Sequence, residues 1–104
     1  MENYNVYITE PAENDLREIA RYIASQLNAP KAALDTVRAI RKAISKLEAN
    51  AMVYPLVRDD RLASLGYRLL VVKNYIAFFI VHEKEKAVDI DRILYGRRDW
   101  QKIL

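Results

Sequence analysis

The chain contains no cysteine, so it has neither a disulfide framework nor a thiolate site. It has one histidine, His82, which excludes the repeated His/Cys spacing of a metal centre. Its longest apolar runs fall far short of the roughly 20 residues that cross a bilayer. The N-terminal Met1-Glu2-Asn3-Tyr4-Asn5 lacks the basic and apolar regions of a signal peptide, so the expected location is the cytoplasm, with no membrane partner. Only two glycines occur, Gly66 and Gly96, and each therefore marks a candidate turn. There is no internal repeat, low-complexity segment or linker. Residues 50–64 hold neither a glycine-rich phosphate cradle nor paired catalytic carboxylates, so neither a metal nor a cofactor is expected.

What remains is an ordinary globular composition. With 104 residues, 52% hydrophobic and 30% charged, the chain can bury one modest core, so residues 1–104 read as a single domain. The net charge of +3 permits a polyanionic partner without demanding one. Arginine is concentrated in residues 58–68 and 92–98.

Tyr4-Asn5-Val6-Tyr7-Ile8 alternates and is rich in strand formers, so an opening strand is expected. Thr9 or Glu10 can cap the following helix and Pro11 suits its first turn. Ala12, Leu16, Ile19, Ala20, Ile23 and Leu27 then form one apolar stripe. Asn28-Ala29-Pro30 breaks that helix. Ala33, Val37, Ile40, Ile44 and Leu47 make a second stripe, and the short connection predicts an antiparallel helical hairpin. Residues 50–64 read as a connecting loop with one short extended piece.

Three strands are predicted next, at Tyr67–Val72, Ile76–His82 and Ala87–Leu94, joined by short polar hairpins. The middle one is apolar throughout and should be central and covered on both faces. In the third, Val88 and Ile90 face one way, Asp89 and Asp91 the other. The expected fold is α+β: a β-α-α-β-β-β order, with an antiparallel sheet packed against the N-terminal hairpin and a short C-terminal segment. In that segment Gly96 turns the chain among Arg92, Arg97, Arg98 and Tyr95. Asp99 should begin a terminal turn that packs Trp100 and Ile103 back onto the core, since an undocked terminus frays.

Several pieces carry a family resemblance. They are the helix with Ala12, Asp15, Leu16, Glu18, Ile19, Tyr22 and Ile23, the Gly66-Tyr67-Arg68 strand start, Asn74-Tyr75-Ile76-Ala77-Phe78-Phe79, and the tail from Arg92 to Asp99. In this order and spacing the chain resembles the RelE/ParE superfamily of bacterial toxins from type II toxin–antitoxin (plasmid stabilisation) systems. The resemblance implies a growth-inhibiting toxin neutralised by a cognate antitoxin, whose disordered segment lays a helix and an extended piece over grooves of the toxin. The implied assembly is a homodimer or a toxin–antitoxin hetero-oligomer.

The branches of the superfamily differ in target. ParE-like members inhibit DNA gyrase, and RelE-like members are mRNA interferases that cut message on the ribosome. Metal-independent cleavage needs a base, a cation for the phosphate and an acid. In the nuclease reading Arg68 and Arg98 match the family's arginines, and Tyr95 stands in for a C-terminal tyrosine whose matching position here is Leu104. The chain would then be a metal-independent endoribonuclease. Arg61, Arg68, Arg97 and Arg98 are the candidate contacts to nucleic acid or target. The structural alternative for Arg68 and Arg98 is a salt bridge to Asp89, Asp91 or Asp99. Arg97 taken alone reads as a solvated charge, as do Lys31, Arg38, Arg41, Lys42 and Lys46 along the second helix. His82 reads as a strand-end surface residue. The Gly-x-Arg-Asp tail, its apolar end and the mild basicity favour the gyrase branch over the nuclease. A non-toxic interaction module is the third reading.

Overall fold

The computed structural model describes residues 3–104, so Met1 and Glu2, where the segment read for a leader begins, lie outside the described residues. Strand β1 (Asn5–Ile8) leads into helix α1 (Glu10–Arg21). Thr9 caps that helix by accepting from the Ala12 amide, and its hydroxyl also donates to the Ile90 carbonyl at 2.8 Å, pinning the helix start to the sheet. Pro11 occupies the first turn as predicted. The helix ends in one wider π-helical turn, Tyr22–Gln26. Helix α2 (Pro30–Ser45) returns antiparallel, and Ala33, Ile40 and Ile44 of its stripe are buried. A wider turn shifts the phase of a helix. Leu27, placed in the first stripe by a strict 3.6-residue period, is instead 57% exposed.

Residues 47–64 are more ordered than a connecting loop. A short helix α3 (Leu47–Asn50) and one 3₁₀ turn (Ala51–Val53) precede an extended piece, where Leu56 bridges Arg68. Helix α4 (Asp60–Ser64) follows, capped by Asp59, whose carboxylate accepts from the Leu62 amide at 3.0 Å. One turn is too short to show a period in sequence, and it is anchored by the fully buried Leu62.

Strands β2 (Tyr67–Val72), β3 (Tyr75–His82) and β4 (Ala87–Tyr95) form the expected meander. The sheet order is β1-β4-β3-β2. One pairing departs from an all-antiparallel sheet: β1 runs parallel to β4. Parallel neighbours need a long crossover, and the two helices plus the β2–β3 hairpin supply one.

Both faces of β3 are covered. Ala77 and Phe79 face the helices in a core with Leu16, Ile40, Ile44, Val88 and Ile90. Phe78 faces the other way, against Val57, Leu62 and Leu94. Strand β4 carries a bulge: Phe79 pairs with Ile90 and Phe78 with Arg92, leaving Asp91 over. That extra residue resets the alternation. Ile90 and Ile93, three apart, share the helix-side core, and Leu94 joins the opposite cluster. The tail ends in a one-turn helix α5 (Trp100–Ile103), and Trp100, Ile103 and Leu104 pack on that second cluster. The Trp100 and Phe78 ring centres lie 5.1 Å apart, so the tail is docked as expected.

Candidate functional site

The groove and the ridge beside it are built by α1 and the end of β4. Along α1 and the start of its π-helical turn, Asp15, Glu18 and Tyr22 recur at three and four residues, so they lie on one helix face. That face borders a groove of about 530 Å³, walled on the other side by Tyr75, Tyr95 and Arg98. At its floor Asp15, only 6% exposed, accepts from Arg92 Nε at 2.7 Å and Nη2 at 2.8 Å, and from the Ile93 amide at 2.9 Å. A bidentate guanidinium plus a backbone amide satisfies a buried carboxylate that would otherwise be costly. The Asp15 hydrogen bond in turn holds the Arg92 guanidinium above its ordinary pKa, against the effect of burial. Arg92 is therefore a structural tie between α1 and β4.

The groove wall is aromatic. Tyr75 and Tyr95 are cross-strand partners with ring centres 5.9 Å apart in an edge arrangement. Burial, then the neighbouring Tyr95 and Tyr22, pushes the Tyr75 phenol up. Beyond Tyr95 the chain turns at Gly96, whose amide donates to the Asn74 carbonyl at 2.8 Å. A side chain on Gly96 would bring a Cβ to 3.3 Å from that carbonyl, so glycine permits the close approach. The Arg98 amide donates to the Tyr95 carbonyl at 3.0 Å and closes the turn. The result is a ridge, residues 95–98, clasped to the β2–β3 hairpin.

The arginines singled out by sequence have separate surroundings. Arg61, on α4, donates to the Gln101 carbonyl at 3.2 Å and ties that helix to the tail. Arg68, half-buried in β2, donates to the Tyr54 carbonyl. Arg97 and Arg98 are exposed on the ridge and, among the described residues, neither forms an ion pair. The structural alternative for Arg68 and Arg98, a salt bridge to Asp89, Asp91 or Asp99, is not found among the described residues, and those carboxylates have other partners. His82 lies 3.1 Å from Asp89, the Tyr67 hydroxyl donates to Asp91, and Lys102 sits 3.4 Å from Asp99. Tyr95, Arg97 and Arg98 are brought together on the ridge; Arg61 and Arg68 are not part of it. His82, Lys31, Arg38, Arg41, Lys42 and Lys46 are all exposed, as expected, and Arg41 pairs with Glu13 at 2.7 Å. The groove residues Asp15, Glu18, Tyr22 and Tyr75 were not site candidates, although the stripe of Asp15, Glu18 and Tyr22 was a signal for the first three. Among the described residues no cluster of ligating side chains could hold a metal ion, and no helix is long and apolar enough to cross a membrane.

Comparison with known proteins places this geometry. A chain of the chromosomal ParDE toxin–antitoxin system from P. aeruginosa is 26% identical and superposes with a TM-score of 0.73, over 88% of this chain and 95% of that one. A chain of the RelBE2 toxin–antitoxin complex from Mycobacterium tuberculosis, 18% identical, superposes at 0.61 over 91% and 93%, a likeness of fold. No curated protein sequence gives a significant match. The family model of the ParE toxin of the type II toxin–antitoxin system parDE matches residues 6–100. The chain thus belongs to the ParE toxin family of type II toxin–antitoxin systems.

Proposed function

We propose that this protein is a single-domain cytoplasmic toxin that arrests growth by inhibiting DNA gyrase and is held inactive by a cognate antitoxin. The observation that carries the target is the separation of its arginines. Cleavage without a metal needs its cation, acid and base around one phosphate. Arg68 pairs across the sheet with Phe79, whereas the ridge sits beside Tyr75. Those positions are four residue steps apart along β3, about 13 Å of strand. Arg68 is also committed to the Tyr54 carbonyl. Membership of the ParE family supports the same target. The P. aeruginosa relative comes from a ParDE toxin–antitoxin system, which supports an antitoxin here. The exposed apolar lining of the groove, Tyr22, Leu27 and Tyr95, is the surface that antitoxin would cover.

A second reading has one observation of its own. Tyr95 and Arg98 share one groove wall, so a phenol and a guanidinium are available at one place for a RelE-like mRNA interferase. Expression of the chain alone in bacteria separates the two. Filamentation with a DNA-damage response is the expected result. Rapid translation arrest with cuts in A-site codons, abolished by Arg68→Ala and Arg98→Ala, would establish the nuclease instead. Unimpaired growth would sink both and leave a non-toxic interaction module.

A further inference from the structure

The ridge has a second side. Tyr95 and Asn74 line the groove and also a smaller concavity of about 210 Å³. Tyr75 packs with the helix-side core and Ile76 with the opposite cluster, so the two concavities open on opposite faces of the sheet. The groove carries Asp15 and Glu18, while the smaller concavity has no carboxylate in its lining. Its cations are Lys73 and Arg97, and its apolar surface is Val71, 60% exposed, and Tyr95, 41% exposed.

Two further observations set this place apart. Among the described residues, neither Lys73 nor Arg97 has an ion-pair partner. Lys73 also sits at φ 55°, a left-handed conformation in which glycine or asparagine is the usual occupant. The other hairpin has a lysine in the same conformation, Lys86 at φ 51°, but that one sits 3.2 Å from Glu83. The β2–β3 hairpin thus holds a cation in a disfavoured backbone geometry and, among the described residues, without an ion-pair partner.

We propose that the Lys73–Arg97 concavity binds the phosphodiester backbone of nucleic acid, with the Tyr95 ring and Val71 as its apolar rim. Two cations without ion-pair partners in one lining suit the phosphate anions of a phosphodiester backbone, and an exposed ring gives bases a surface to stack on. The site assigns Arg97, rather than Arg98, to nucleic acid, and leaves Arg98 facing the groove. Nucleic-acid binding here does not depend on the identity of the target, because gyrase and the ribosome both hold nucleic acid.

The test is fluorescence anisotropy of the purified full-length chain with a dye-labelled single strand and with the matching duplex, between about 50 and 200 mM salt. Binding is expected to weaken with salt. The Lys73→Ala/Arg97→Ala variant should bind about tenfold less tightly at low salt, with the salt slope flattened by about 1.8 on duplex or about 1.4 on single strand. The strand form that shows the loss identifies which nucleic acid the site takes. Arg97→Lys should retain binding, and Lys42→Ala/Lys46→Ala, which removes the same charge from α2, should leave the slope unchanged. No binding by the parent chain, or an equal loss in the α2 variant, would overturn the proposal. No gyrase is present in this assay, so its failure would leave the gyrase reading to stand or fall on cell morphology.

Discussion

Arg92 and Arg98 stand on the same stretch of chain and meet the same groove, Arg92 through its partner Asp15, yet among the described residues only Arg92 is tied into the fold by its side chain. Arg92 closes a bidentate pair with the buried Asp15, and the same carboxylate takes the Ile93 amide. Among the described residues Arg98 has no ion pair; it lines an open groove on a ridge held by backbone hydrogen bonds at Gly96 and by the Tyr95 ring on Tyr75. The difference is produced by the bulge at Asp91 and the turn at Gly96. The bulge aims Arg92 at α1, and the turn carries Arg97 and Arg98 past the end of the sheet. Arginines clustered in a sequence therefore divide by partner, and a cation whose charge is fully satisfied in the fold has little left to offer a target.

If that division is right, substitutions on the two sides should act on different quantities. The largest effect is expected from Asp15→Ala. It strands the Arg92 guanidinium and the Ile93 amide, and should cost about 3 kcal/mol in urea unfolding. Trp100→Ala comes next. It removes the ring on Phe78 that anchors the tail, and because Trp100 is only partly buried the expected loss is about 2 kcal/mol. A smaller effect appears at high pH. Burial, then the hydrogen bond to Asp91, pushes the Tyr67 phenol from 10.0 up to about 12 in the folded state. The protonated phenol is thus the form the fold favours. Its stabilisation should be complete below pH 10.0 and fade as the pH rises through about 12. The stability difference between the parent and Tyr67→Phe should narrow over that interval and stay constant below it. The smallest structural effect belongs to Arg98→Ala, whose unfolding midpoint should match the parent within about 0.5 kcal/mol.

Much of the fold was legible because its signals are periodic. The stripes of α1 and α2 and the all-apolar β3 each announced an element and its buried face. What escaped depended on single residues or on contacts distant in sequence. The π-helical turn moved Leu27 out of the core. Helix α4 is one turn long, and its cap Asp59 reads in sequence like any surface carboxylate. The parallel pairing of β1 is set by where the crossover returns, which no local pattern encodes. At the site, the Tyr95–Arg98 cluster could be read from Gly96 and its neighbours. The role of Arg92 could not, because Asp15 lies far from it in sequence, and the bulge that brings them together is an irregularity in an otherwise alternating strand. Lys73 escaped because a hairpin lysine is ordinarily a solvated charge.

The central claim is that the ridge serves the target and Arg92 serves the fold. It is tested most directly by measuring growth arrest and urea unfolding on one protein, the Arg97→Ala/Arg98→Ala variant. Unaltered stability with growth arrest lost is the expected result. Growth arrest at the parent level in a stably folded variant would contradict it.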